Sequence, residues 1–88
     1  MKVAVFDTYV EKKDGTIMHF DILVPEEEKD EERIYSFGRT YLADKGQEGQ
    51  PLRSAECKYC HIEQASEKVL ENIEQTGYSI IEMEGCNS

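Results

Sequence analysis

Eighty-eight residues suit one domain with a modest core, because chains this short rarely hold two separate cores. The 19 acidic side chains outnumber the 10 basic ones, which gives a formal net charge of −9 at pH 7. A field of this sign repels phosphate backbones and anionic lipid headgroups, and therefore argues against nucleic acid and membrane surfaces as partners.

The first predicted element is a β-hairpin. Lys2 to Glu11 and Thr16 to Val24 are rich in valine, aromatic and threonine residues, as strands are. The segment Lys13-Asp14-Gly15 between them has the form of a three-residue hairpin loop, in which the glycine adopts the left-handed conformation. Such a loop pairs Lys12 with Thr16, and this fixes which residues of the two strands face one another.

In this register the hairpin has one apolar face and one mixed face. The apolar face, which we expect to form the core, carries Ala4, Phe6, Thr8, Val10, Met18, Phe20, Ile22 and Val24. The mixed face is apolar at its outer positions, and its middle places Asp7 opposite Asp21 and His19 opposite Tyr9. Like charges directly opposite one another are unfavourable. The sequence therefore predicts a nearby cation, good solvation of the pair, or a register that differs by one residue.

A helix is predicted after the hairpin. Pro25 and the acids Glu26 to Glu28 favour its start, because proline fits the first turn and acids favour the positive end of the helix dipole. An apolar stripe follows at three- and four-residue spacing, formed by Ile34, Phe37, Tyr41 and Leu42. Gly38 lies inside this stripe and is costly in a helix unless another element approaches closely. Lys45 and Gly46 are typical of a helix end.

The second half of the chain adds a loop, a strand, a helix and a strand. Their predicted bounds are 47–52, 53–62, 67–76 and 78–84, followed by a tail over 85–88. Ser66 is the expected N-cap of the helix, and Gly77 supplies the left-handed residue at its end.

Together these elements predict a two-layer α+β domain over residues 1–88, with a mixed four-stranded sheet and two helices in the order ββαβαβ. The final strand–helix–strand unit is expected to cross over right-handedly, and to pair in parallel if both strands share a sheet. We expect a single domain without repeats or linkers.

The segment Cys57-Lys58-Tyr59-Cys60-His61, the cysteine motif, carries most of the recognisable chemistry. Its spacing fits c-type haem attachment, but that chemistry normally requires export. It also fits a thioredoxin-like redox pair, although the next helix starts several residues too late to acidify the first thiol. A third template is half of a zinc site, which His61, Cys86 or His19 would complete. We take Cys57, Cys60 and His61 as the candidate metal ligands, with zinc as the cofactor considered.

The sequence favours a structural interpretation of the cysteine motif. On a regular strand Cys57 and Cys60 project to opposite faces, so chelation needs a turn or bulge between them. A buried cysteine behaves as a small hydrophobe, and we expect the two sulfurs to lie apart. His61 would then form a hydrogen bond at the strand end.

Asp7, Tyr9, His19 and Asp21 form a second candidate cluster. A carboxylate beside a histidine raises the histidine pKa, and two carboxylates hold a hard cation or share acid–base work. The alternative, which the pattern favours, is the exposed polar face of an edge hairpin.

No apolar run approaches the roughly 18 residues of a transmembrane helix. The N-terminus lacks the apolar segment and cleavage site of a signal peptide. Three cysteines are an odd count, which suits free thiols in a reducing compartment. We therefore expect a cytoplasmic protein that binds neither nucleic acid nor membranes, has a protein partner or a small ligand, and is a monomer or homodimer.

Several segments together resemble a small bacterial family. They are Val5 to Val10, Lys13-Asp14-Gly15, His19 to Pro25, Phe37-Gly38 with Tyr41-Leu42, Glu56 to Glu63, and Gly77 to Cys86. The chain is similar along nearly its whole length to a family known only as a domain of unknown function (number two thousand and twenty-four). The resemblance implies a stand-alone α+β domain of this size, and it implies no activity.

As a whole, the sequence predicts a binding or interaction module. It shows no recognisable activated nucleophile, phosphate loop or cofactor fingerprint, so no catalytic residue is assigned. The alternatives are a metal-binding or thiol-redox protein that uses the cysteine motif, and a small enzyme centred on Asp7, His19 and Asp21.

Overall fold

A computed structural model describes residues 1–86 of the chain, and the last two positions of the predicted tail lie outside the described residues. The strands are β1, Lys2–Glu11, β2, Ile17–Pro25, β3, Cys57–Gln64, and β4, Ser79–Glu84, and the helices are α1, Glu31–Asp44, and α2, Glu67–Thr76. The α+β class, the four strands, the two helices and their order are confirmed.

The four strands form one sheet in the order β3-β1-β2-β4. The hairpin register is as predicted: the Lys12 amide donates to the Thr16 carbonyl over 2.7 Å, Gly15 has a φ of 89°, and Asp7 lies opposite Asp21. All three strand pairings are antiparallel, which corrects the expected mixed sheet. Because the hairpin occupies the centre, β3 and β4 lie at opposite edges, and α2 connects these edges instead of returning to a parallel neighbour.

The two helices lie on opposite faces of the sheet. On the predicted core face α1 packs against β1 and β2, and the fully buried side chains there include Val10, Met18, Phe20, Ile22 and Val24. On the other face Val69 and Ile73 of α2 cover Val3, Val5 and Leu23. The structure therefore has three layers, which corrects the predicted two. The reason lies in the hairpin, because the apolar outer positions of its mixed face also need to be removed from water.

α1 begins later than the sequence predicted. Asp30 is its N-cap, and the Asp30 side chain accepts a hydrogen bond from the Arg33 amide over 3.2 Å. This cap satisfies an otherwise unpaired amide and outweighs the start signals at Pro25. The close neighbour expected at Gly38 is present, since a Cβ there would lie 2.5 Å from Leu52 Cδ1 and 2.9 Å from Ile22 Cδ1.

The second half follows the sequence signals except at β3, which runs from Cys57 to Gln64 and not over 53–62. Ser66 caps α2 by accepting from the Val69 amide over 3.3 Å, and Gly77 ends the helix with a φ of 91°. β3 begins at Cys57 and not at Arg53, because the Cys57 amide donates to the Arg53 carbonyl in a turn. Neither helix within residues 1–86 has the length and hydropathy needed to span a membrane.

Candidate metal site on the open face of the sheet

Three of the four residues in the predicted polar cluster converge on one point of the sheet. His19 Nε2 lies 3.5 Å from Asp7 Oδ1 and 3.7 Å from Asp21 Oδ1. One ligand atom from each residue lies within 4.8 Å of the other two. We call Asp7, His19 and Asp21 the triad. It lies on the same face as α2 but beyond the residues that α2 covers, and we call this uncovered part the open face.

The ladder between β1 and β2 positions the triad. Asp7 and Asp21 are directly opposite one another, and His19 is two residues from Asp21, which places it on the same face. Tyr9 lies opposite His19, and the two rings stack with centroids 4.1 Å apart and planes 11° apart. This stack holds the imidazole with Nε2 toward the carboxylates, so Tyr9 is a positioning residue.

The two carboxyl groups of the triad differ in proton affinity. Burial, and after it the neighbouring Asp7 carboxylate, raises the pKa of Asp21 to about 6. A hydrogen bond with Asp21 is the largest cause that lowers the pKa of Asp7, and His19 and Cys60 add to it. The hydrogen bond between the two carboxyl groups requires the Asp21 proton, so above about pH 6 two negative charges face each other across the ladder beside an imidazole.

Two polar atoms of the triad are shielded from solvent without a hydrogen-bond partner in residues 1–86. They are His19 Nε2 and Asp21 Oδ1, on side chains that are 17% and 16% exposed. The two separations from His19 Nε2 to the carboxylates exceed the upper limit of about 3.2 Å for an N–H···O hydrogen bond. His19 Nε2 therefore lies close to both carboxylates without a hydrogen bond to either.

The structure separates the two thiols of the cysteine motif. Cys57 is buried in the core on the α1 face, opposite Thr8. Cys60 sits at a β-bulge, where the pairing of β3 with β1 shifts between Val5 and Phe6. Its sulfur lies 3.1 Å from His61 Nδ1 on the open face, against Asp7. The expected placement on opposite faces is present, and Cys57 does not converge with Cys60 and His61 on one point.

Cys60 also adds a thiol to the rim of the triad, which the sequence did not indicate. The bulge is responsible, because it turns Cys60 and His61 to the same face of β3. Nothing in the residue pattern of β3 marks the extra residue. The third cysteine, Cys86, is buried, and its sulfur donates to the His19 carbonyl over 3.3 Å.

In the native protein we expect one thiol, that of Cys60, to react rapidly with Ellman's reagent. Cys57 and Cys86 are only 3% and 8% exposed, whereas Cys60 is exposed to solvent and to the reagent. All three thiols should react in denaturant. Cys60→Ser should remove the rapid phase and Cys57→Ser should leave it. A rapid phase that survives Cys60→Ser would contradict this assignment.

The comparisons with known proteins agree with the fold. The family model described as a domain of unknown function (DUF2024) matches residues 1–83. The chain belongs to this family. This DUF2024 chain is also similar to protein NE1680 from Nitrosomonas europaea, whose structure was determined by NMR. The two are 44% identical over 99% of this chain and 100% of that one, with a TM-score of 0.84.

No curated protein matches the chain. The family description names no activity, substrate or ligand. The function of this DUF2024 chain is therefore inferred from the geometry and chemistry of its own residues.

Proposed function

We propose that this DUF2024 chain is a small binding module, and that the triad binds one divalent transition-metal cation. The observation that carries the proposal is the pair of separations from His19 Nε2 to the two carboxylates, 3.5 and 3.7 Å. Two ligands that each lie about 2.1 Å from a tetrahedral ion are separated by about 3.4 Å. The two distances from His19 Nε2 thus already match the spacing that one tetrahedral ion requires.

The donor set indicates the class of cation. One imidazole nitrogen and two carboxylate oxygens suit Zn²⁺ and its first-row neighbours, whereas Ca²⁺ prefers six or more oxygen ligands. Three protein ligands leave at least one coordination position for water or a small ligand. The Cys60 thiol stands next to Asp7 and is an additional donor at the rim of the triad.

The charges of the triad also favour a divalent cation. The ionised Asp7 and Asp21 face each other across the ladder, and burial disfavours the charge on Asp21. A divalent cation would neutralise both carboxylates and supply the missing partner of His19 Nε2. The proposal concerns binding, and it assigns no catalytic step to any residue.

The test is a calorimetric titration of zinc into chelator-treated protein without an affinity tag near pH 7.5. We expect one equivalent to bind, and we expect His19→Gln to weaken binding by roughly 100-fold or more, because one of three ligands is lost. Since zinc competes with the proton on Asp21, binding should also weaken below about pH 6.

The matched control is His61→Gln. The chain has two histidines, and both face the open side of the sheet, but His61 lies outside the triad. His61→Gln should therefore leave zinc affinity within a few-fold of the wild type. Absence of zinc binding, or equal effects of the two substitutions, would refute the proposal.

A further inference from the structure

We propose that two copies of this chain associate through their β3 strands, in an antiparallel pairing centred between Cys60 and His61. The starting observation is that β3 is an edge strand of the sheet. Every residue of β3 after Cys57 is exposed, and the large apolar side chains Tyr59 and Ile62 are 57% and 40% exposed. An edge strand presents a row of free amide and carbonyl groups to any strand that can match it.

The bulge at Cys60 determines which β3 side chains share a face. Lys58 lies opposite Asp7, and Glu63 lies opposite Val3, so both point to the open face although they are five residues apart. Tyr59 and Ile62 lie opposite Phe6 and Ala4, which places both on the α1 face. Cys60 and His61 contact each other on the open face.

The sequence of open-face and α1-face positions from Lys58 to Glu63 is the same in both directions along β3. In an antiparallel pair centred between Cys60 and His61, Lys58 faces Glu63 of the second copy, Tyr59 faces Ile62, and Cys60 faces His61. Each of these pairs joins side chains on the same face, as cross-strand neighbours must be. A two-fold axis then repeats every contact, which gives two ion pairs and two apolar pairs.

The charges of β3 favour this partner. None of the lysine and arginine ion pairs within residues 1–86 involves Lys58, so its charge is available to Glu63 of a second copy. Within its own chain Glu63 Oε1 lies 3.1 Å from His61 Nε2, and its second oxygen can accept from Lys58 of the other copy. The other edge strand, β4, carries the acids Glu82 and Glu84 and no basic residue, so two copies of β4 would repel each other.

The bulge also favours a second copy over an unrelated strand. A bulge breaks the register of a regular strand, and it is one of the devices that protect sheet edges. Across the two-fold axis the same irregularity occurs in both strands, so the faces of the two strands stay matched. The paired strands would join two four-stranded sheets into one continuous sheet, with Tyr59 and Ile62 of both copies in one apolar cluster.

Charge reversal tests the register. By sedimentation equilibrium in ~0.15 M salt, which screens the net charge, we expect a reversible dimer of the wild type. Lys58→Glu and Glu63→Lys should each weaken association by roughly tenfold or more, because two attractive pairs become repulsive. An equimolar mixture of the two variants should dimerise again, since acidic side chains of one chain then face basic side chains of the other.

Lys68→Glu, an exposed change of the same charge on α2, is the matched control and should leave association unchanged. Circular dichroism shows whether each variant is folded, and the double variant Lys58→Glu with Glu63→Lys should dimerise as the wild type does. A wild type that stays monomeric up to about 1 mM would overturn the proposal. So would single variants that dimerise normally, or a mixture of the two that remains monomeric.

Discussion

Replacing Asp21 with asparagine is expected to stabilise the metal-free protein by about 1 to 3 kcal/mol near pH 8. Asp21 is ionised there, its side chain is only 16% exposed, and it faces the Asp7 carboxylate. The asparagine amide has nearly the same shape, carries no charge and can donate to Asp7. The measurement is urea unfolding in the presence of a chelator.

The effect of Asp21→Asn should depend on pH in a definite direction. The pKa of Asp21 is about 6 in the folded protein and its ordinary value is 3.8, so the folded state holds the proton more tightly. The stability that this proton contributes is fully present below the ordinary value and is lost as pH rises through about 6. The gain in free energy of unfolding from the substitution should therefore be near zero at about pH 3 and complete by about pH 7.

Asp44→Asn, at an exposed position on α1, is the matched control and should change the free energy of unfolding by less than about 0.5 kcal/mol. Saturating zinc should reverse the order of wild type and Asp21→Asn, because a ligand at a hundred times its Kd stabilises the folded state by about 2.7 kcal/mol. If Asp21→Asn destabilises the metal-free protein near pH 8, the interpretation of the carboxyl pair is wrong.

The largest loss of stability is expected for Phe20→Ala, about 3 to 5 kcal/mol. Phe20 is fully buried between the sheet and α1, and its ring centroid lies 4.6 Å from that of Tyr41. Truncation removes apolar burial and leaves a cavity that α1 cannot fill without moving. This is a large fraction of the 5–15 kcal/mol that is typical of small domains.

Urea unfolding followed by circular dichroism measures this loss, and Met83→Ala provides the control. Met83 is on β4 and is 52% exposed, so its truncation should cost less than about 0.5 kcal/mol. Phe20 and the triad lie on opposite faces of the sheet. The fraction of Phe20→Ala protein that is folded should therefore still bind zinc at the triad. A loss below about 1 kcal/mol would mean that the core relaxes around the missing ring.

The parts of the fold that depend on local sequence were predictable. Gly15 and the three-residue loop fix the register of β1 and β2, and this register alone places Asp7 opposite Asp21 and His19 opposite Tyr9. Ser66 and Gly77 mark the ends of α2 by their own hydrogen bonding and backbone preference.

The parts that depend on distant partners were not predictable in the same way. The pairing of β3 with β1, and the bulge that turns Cys60 toward Asp7, follow from how two remote segments fit. The sequence does not determine the start of α1, because Pro25 and Asp30 both carry start signals and only the capping hydrogen bond decides between them. The apolar residues Val3, Val5 and Leu23 indicate a second buried face of the sheet. A two-layer fold places no element over that face, and in the structure α2 covers it.

The central position of the hairpin has a consequence for folding. Its strands are joined by a very short loop, so bringing them together costs little chain entropy, whereas β3 and β4 require long loops to close. The edge strands pair onto β1 and β2 and need that ladder as a template. All three residues of the triad belong to the hairpin. The geometry of the candidate metal site is therefore set by the most local pairing in the chain, before the edges of the sheet are complete.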